Sequence, residues 1–220
     1  MDSLKRNDLL KDWLSRKLKI DFSISSASSD ASFRRYFRVK TVKDTFIVMD
    51  APPENESIEA FVKIGQILTT INVNVPDIFE EDNALGFILM QDFGSDTYLD
   101  VLNDDNQQRL YSDSIESLIQ MQKLVKKDLC QSYTQKILFD EMSLFIEWYL
   151  KKYKKIELTN KENEKLFTCF ETISKKALSQ EKFFVHRDYH SRNLMNQKLN
   201  NPGILDFQDA LVGPVTYDLV

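Results

Sequence analysis

Both histidines of this 220-residue chain fall in one eight-residue stretch, His186-Arg187-Asp188-Tyr189-His190-Ser191-Arg192-Asn193, which lies between two apparent strands. Asn193 follows Asp188 by five residues, and thirteen residues later Asp206 ends the apolar Gly203-Ile204-Leu205 run and opens Asp-Phe-Gln-Asp. This arrangement suits phosphoryl transfer. A loop aspartate can orient an attacking hydroxyl and accept its proton, while an asparagine amide oxygen and a second aspartate are hard oxygen ligands of the kind magnesium prefers. A zinc hydrolase is the weaker reading: His186 and His190 stand four apart, but Arg187 occupies the place of the glutamate in HExxH and the stretch follows a strand.

Composition removes other chemistries. The five glycines (Gly65, Gly86, Gly94, Gly203, Gly213) make neither a P-loop nor a GxGxxG fingerprint. Cys130 and Cys169 stand 39 residues apart without a CxxC, which excludes zinc ribbons and thioredoxin-like motifs, and both read as buried thiols. With 29 basic and 34 acidic residues the net charge is −5, so nucleic acid is not an expected partner. The longest uncharged apolar run, Leu85 to Met90, is too short to span a membrane, and the N-terminus lacks the features of a signal peptide. A cytoplasmic protein is expected, with no membrane and no obligate protein partner.

The elements that must position these residues follow from hydrophobic periodicity. Leu10, Trp13 and Leu14 mark an amphipathic helix, and the polar run Ser23 to Ser32 has the composition of a linker but runs directly into a strand. Phe33 to Val39 alternates with period two, Thr45 to Asp50 reads as a second strand, and Ser57 is placed to cap a helix reaching Ile71. A hairpin follows, with strands near Ile78 and from Gly86 to Met90. Amphipathic helices are expected at Asp105 to Lys127, Phe139 to Tyr153 and Lys161 to Leu178, their apolar stripes reading as core; the middle stripe comprises Met142, Phe145, Ile146, Tyr149 and Tyr153. Short strands return at KFFVH, LMN and GILDF.

HRDYHSRN followed by LDFQD resembles the catalytic and metal loops of the aminoglycoside phosphotransferase family, relatives of protein kinases in fold. The likeness runs through nearly the whole chain. It implies an α+β, bilobal protein-kinase-like fold: a small antiparallel β-sheet N-lobe over residues 1–93 for nucleotide, and a mainly helical C-lobe over residues 94–220 whose distal helices are absent. Within the family, ASFRRYFRV, VMDAPP, NVPDIF and LDFQDALVGPVTYDL are most similar to bacterial kinases that phosphorylate the anomeric hydroxyl of N-acetylmuramate and N-acetylglucosamine during cell-wall recycling. The implied function is thus an ATP- and magnesium-dependent sugar kinase. An aminoglycoside or other small-alcohol kinase, or a non-catalytic pseudokinase-like nucleotide-binding fragment, are the alternatives.

The resemblance assigns roles residue by residue. Asp188 becomes the catalytic base, Asn193 and Asp206 the magnesium ligands, and His186 a structural loop residue whose imidazole ties to backbone or to Asp206. His190 lies toward the sugar, Asp209 meets the sugar or the metal, and Asp218 braces the catalytic loop. Ser29, Ser32 and Phe33 belong to the loop over the ATP phosphates, and Gln91 and Phe93 to the hinge against adenine. The family's nucleotide lysine has no counterpart, since its strand reads Val48-Met49-Asp50; Arg34, Arg35 and Arg38 are the candidate replacements. Without that lysine, Glu56 and Glu59 lose their reason to belong to the site. Asp92-Phe93-Gly94 spells the protein-kinase metal motif but precedes the catalytic loop, and reads as a hinge or strand end.

Overall fold

The computed structural model describes residues 3–28 and 34–219. The chain packs as two compact units, Met1–Ser117 with His190–Gln208, and Leu118–Tyr189 with Asp209–Val220. The boundary expected at residue 93 lies inside the first.

The first unit is built on a five-stranded antiparallel sheet of order β1-β2-β3-β5-β4, with β1 Ser23–Ser28, β2 Arg35–Lys40, β3 Thr45–Asp50, β4 Ile78–Asp82 and β5 Phe87–Gln91. Helix α1 (Ser3–Leu18) sets Leu10, Trp13 and Leu14 against Val39, Val48, Phe87 and Leu89, all almost fully buried. Trp13 is 2% exposed, with its ring 5.5 Å from that of Phe87. Burial of each large side chain there stabilises the unit by about 1.5–3 kcal/mol.

The serine-rich segment, linker-like in composition alone, is a strand over its first six residues, and the part assigned to the phosphate loop, Ser29 to Phe33, lies outside the described residues. Ser23 to Ser26 pair with Lys40 to Phe37 of β2, and Ile24 joins the α1 cluster. An edge strand needs backbone pairing more than apolar side chains, so its composition concealed it.

Asp50, at the end of β3, is fully buried between two arginines. Arg6 donates through Nε at 2.8 Å, and Arg35, its register partner on β2, through Nε at 3.0 Å. Beyond β3, Ser57 Oγ accepts the Glu59 amide at 3.1 Å at the start of α2 (Glu59–Thr70), whose buried face is Phe61, Ile64, Gly65 and Leu68. After α3 (Tyr98–Val101) and the start of α4 (Gln107–Leu124), the same unit takes up the hairpin β7 (Leu194–Met195) and β8 (Gly203–Ile204).

The second unit contains α5 (Gln135–Leu144), α6 (Asn160–Leu178) and the antiparallel pair β6 (Lys182–Val185) and β9 (Leu211–Pro214). Thr134 caps α5, and Thr159 with Glu162 forms a capping box on α6. From Phe145 to Tyr153 the chain continues as a π-helix, and this corrects the expected core stripe. Ile146 is buried, but Phe145, Tyr149 and Tyr153 are exposed and stack on one another at 5.3 and 5.9 Å. The i→i+5 winding turns this aromatic row away from the inward-facing Ile146. Trp148 is 59% exposed beside them, with Lys152 Nζ 3.5 Å from its ring centre. Cys169 is exposed and Cys130 half-buried, so neither is the buried thiol expected; on α6 it is the next residue, Phe170, that turns inward. No helix among the described residues is long and apolar enough to cross a membrane.

Candidate active site

In the first unit, the hairpin β7–β8 brings two of the expected residues together. Leu194 pairs with Ile204, and the Leu205 amide donates to the Asn193 carbonyl at 2.9 Å, extending the ladder toward the loop ends. Asn193 Nδ2 then stands 3.5 Å from Asp206 Oδ2. Asp206 has φ 58°, a left-handed conformation that aspartate tolerates better than most residues. The next residue, Phe207, is fully buried against Phe61 of α2, ring centres 4.8 Å apart, and anchors the turn.

Arg34 faces the same carboxylate. Its Nη1 lies 3.8 Å from Asp206 Oδ1, while Nη2 pairs with Glu56, and its side chain is only 9% exposed. Tyr36, two residues on and near the start of β2, is hydrogen-bonded to Arg34; burial pushes its phenol up to about 12 against the pull of that guanidinium. Gln208 Nε2 donates to Asp206 Oδ1 at 2.6 Å. Three residues outside the expected set, Glu56, Tyr36 and Gln208, therefore surround Arg34 and Asp206.

The other two arginines are engaged elsewhere. Arg35 is held by Asp50, and Arg38 grips Asp92 through Nε at 2.7 Å and Nη2 at 3.0 Å and the Gly94 carbonyl at 2.7 Å. Asp92 thus follows β5 as an ion-pair partner. Gln91 closes β5, its side-chain oxygen 3.4 Å from the Asp77 amide. Phe93 lies beside Gly203, where a Cβ would come within 2.7 Å of its ring, and its carbonyl accepts from Gln197 at 2.8 Å. Ser29, Ser32 and Phe33 fall outside the described residues.

In the second unit, Asp188 is exposed on the loop after β6. Asp218 accepts the amides of His186 at 2.7 Å and Arg187 at 2.9 Å, which is the bracing expected of it. Burial raises the Asp218 carboxyl above the usual range, opposed by those two amides and reinforced by the nearby Asp188 charge. His186 is fully buried, its ring 5.5 Å from that of Tyr189. The side chains of Asp209 and, in the first unit, His190 are exposed, and the His190 carbonyl accepts the Asn193 amide. Residues 186 to 193 form no helix, so the i,i+4 zinc face does not exist, and no group of three or more His, Cys, Asp or Glu among the described residues is arranged to hold a metal.

Residues 23–220 match the phosphotransferase enzyme family. The chain belongs to that family. Curated relatives include the N-acetylmuramate/N-acetylglucosamine kinase of Pseudomonas putida, 44% identical over 197 residues, covering 90% of this chain and 58% of the relative. Another, from Neisseria meningitidis serogroup B, is 35% identical over 223 residues, covering 99% of this chain and 66% of the relative. The chain thus spans 58% of the first relative's own length.

Solved structures in this family's fold include a choline kinase from Streptococcus pneumoniae, TM-score 0.70 at 14% identity, covering 97% of this chain and 72% of that one. An ADP-bound aminoglycoside phosphotransferase, APH(2'')-Ib, has TM-score 0.68 at 17% identity, covering 99% of this chain and 74% of that one. These likenesses give this chain an α+β, kinase-like fold with its antiparallel sheet at the N-terminal end.

In a phosphotransferase, the pair formed by Asn193 and Asp206 fits magnesium by donor chemistry. It offers one amide and one partly exposed carboxylate, and a turn of the amide presents its oxygen where the nitrogen stands. Of the three added residues, Tyr36 and Gln208 stand two positions from Arg34 and Asp206 along the chain, whereas Glu56, set aside for want of a lysine, lies 22 residues from Arg34 and pairs with that arginine instead.

Proposed function

We propose that the chain carries the nucleotide and catalytic machinery of an ATP-dependent, magnesium-dependent kinase whose acceptor is a sugar hydroxyl. The reading extends to the anomeric hydroxyl of N-acetylmuramate or N-acetylglucosamine, in the cytoplasm. The observation that carries it is the closure of Asn193 onto Asp206 by the β7–β8 hairpin, with Arg34 beside the same carboxylate, in a chain whose HRDYHSRN stretch supplies Asp188. Relatives at 44% and 35% identity named as N-acetylmuramate/N-acetylglucosamine kinases support the acceptor.

In this reading Asp188 orients the acceptor hydroxyl and takes its proton as the oxygen–phosphorus bond forms. Arg34 stands in for the absent lysine at the nucleotide phosphates, with its fork fixed by Glu56 and Tyr36. Asn193 and Asp206 hold magnesium, which when bound neutralises charge on the phosphates. The Ser29 to Phe33 segment covers the phosphates, Gln91 and Phe93 lie against adenine, and His190 and Asp209 face the sugar. Residues 1–93 and 94–220 are then a functional division into nucleotide and catalytic regions.

The test is phosphorus NMR of the product formed from ATP, magnesium and each amino sugar by the full-length form of this chain. A sugar 1-phosphate is the expected product. A 6-phosphate, or transfer only to choline or an aminoglycoside, overturns the acceptor, and absence of transfer to any alcohol overturns the kinase reading.

A further inference from the structure

Arg187, the residue before Asp188, has φ 81°, a backbone conformation that suits glycine and strains any residue with a Cβ. Something must hold it there. Its guanidinium donates through Nε to the Tyr133 hydroxyl at 3.0 Å, through Nη2 to Glu141 Oε1 at 2.5 Å, and through Nη1 to the Asp209 carbonyl at 3.4 Å. Tyr133 donates to the same Glu141 oxygen at 2.7 Å, and Tyr217 to the other at 3.2 Å. One carboxylate on α5 thus gathers three donors.

The cluster is tightly fitted. Tyr133 is 2% exposed, its ring lies 5.2 Å from that of Tyr217, and a Cβ on Gly213 would come within 2.5 Å of it. Burial would lower the Arg187 pKa, but the hydrogen bond to Glu141 and the contact with Tyr133 raise it further above its already high value. The backbone of the same turn is held independently, by the Asp218 carboxylate on the amides of His186 and Arg187.

We infer that Glu141 is a positioning residue for catalysis: through Arg187 it maintains the left-handed turn from which Asp188 projects. This rests on the reading of Asp188 as the base. Asp218 fixes where the turn begins, and Glu141 fixes the side chain that keeps it from relaxing. Local spacing does not reveal the pair, since Glu141 and Arg187 are 46 residues apart.

The experiment compares Glu141→Ala, Glu141→Gln, Arg187→Gly and Asp188→Asn in the full-length form, reading kcat, KM for ATP, melting temperature and amide exchange over residues 182–190. Arg187→Gly removes the clamp and the backbone strain together, so its melting temperature should not fall, whereas its kcat should drop about ten- to a hundredfold, the scale of a small misplacement of a reacting group. Glu141→Ala should show the same drop with KM for ATP unchanged and faster exchange at the 186 and 187 amides. Glu141→Gln, which keeps one acceptor oxygen, should recover part of the rate, and the double variant Glu141→Ala/Arg187→Gly should be no slower than either single one. Wild-type kcat in Glu141→Ala and Arg187→Gly alongside an inactive Asp188→Asn overturns the inference alone. If Asp188→Asn keeps its turnover, the base reading fails, and exchange decides the remainder: unchanged protection in Glu141→Ala rejects the clamp, and faster exchange at 186 and 187 supports it.

Discussion

Arg34 and Glu56 form a part-buried ion pair whose guanidinium also lies 3.8 Å from Asp206, so one strand-end arginine joins the segment before α2 to the turn after β8. Arg35 and Arg38 have carboxylate partners of their own in Asp50 and Asp92, which separates the three arginines by role.

Arg34→Ala is accordingly expected to weaken ATP binding by about 1.5–3 kcal/mol, the worth of a hydrogen bond to a charged group, or roughly ten- to a hundredfold in Kd. Arg35→Ala leaves Asp50 still paired with Arg6 and should change ATP affinity no more than a few-fold. Calorimetric titration of the variants checks both; equal losses in Arg34→Ala and Arg35→Ala would falsify the assignment.

Replacing Asp188 by Asn should cut turnover by about 10²- to 10⁴-fold, the usual contribution of a positioned general base, with nucleotide affinity within a few-fold of the parent. Steady-state kinetics in the full-length form and a nucleotide titration give the two readings. Near-normal turnover excludes Asp188 as the base.

For Asp206→Ala the expected loss is the magnesium dependence of nucleotide binding, because a charged ligand is removed while the Asn193 amide alone remains. Titrating ATP with and without magnesium measures it. The same magnesium enhancement in parent and variant rejects the role.

Stability should depend most sharply on Asp50. Removing it as Asp50→Ala strands the Arg6 guanidinium, whose side chain is 5% exposed, and breaking a buried pair in this way costs about 3–5 kcal/mol. Denaturant melts check this, and Arg6→Met combined with Asp50→Ala should restore part of the loss. A melt indistinguishable from the parent means the pair contributes nothing.

Asp218 supplies a dependence on pH. Its carboxyl titrates above the usual range, chiefly through burial, so the folded chain holds that proton more tightly than the unfolded chain does. The resulting stabilisation is present below the unfolded value near 3.8 and is lost as pH rises through the folded value. Since the Asp188 charge adds to the upward shift, Asp188→Asn should lower the Asp218 midpoint in a carbon-13 NMR titration. An unmoved or higher midpoint contradicts that coupling.

The parts of the site that the sequence made legible are those whose partners are close along the chain. Asn193 and Asp206 are joined by a two-stranded hairpin, so their spacing predicts their meeting, whereas Asp218 reaches the amides of His186 and Arg187 across 32 and 31 residues and was legible through the family resemblance alone. The pairing of Arg34 with Glu56 and of Arg187 with Glu141 depends on strand and helix placement across 22 and 46 residues, and no local pattern encodes it. In the fold, period-two and helical stripes located β2, β3 and α2, where side-chain burial drives the pattern. They failed at β1, where the backbone does the pairing, and at Phe145 to Tyr153, where a change of helical winding sends the aromatic row to the surface.

The two tryptophans of the chain fall one in each unit, in opposite surroundings: Trp13 is sealed against Phe87, and Trp148 stands on the surface beneath Lys152. Their fluorescence should therefore separate into a blue-shifted component shielded from iodide and a red-shifted component open to it. Loss of the first reports the opening of the sheet-bearing unit, while the second reads the helical unit, so a single emission spectrum can follow which of the two comes apart first without any label.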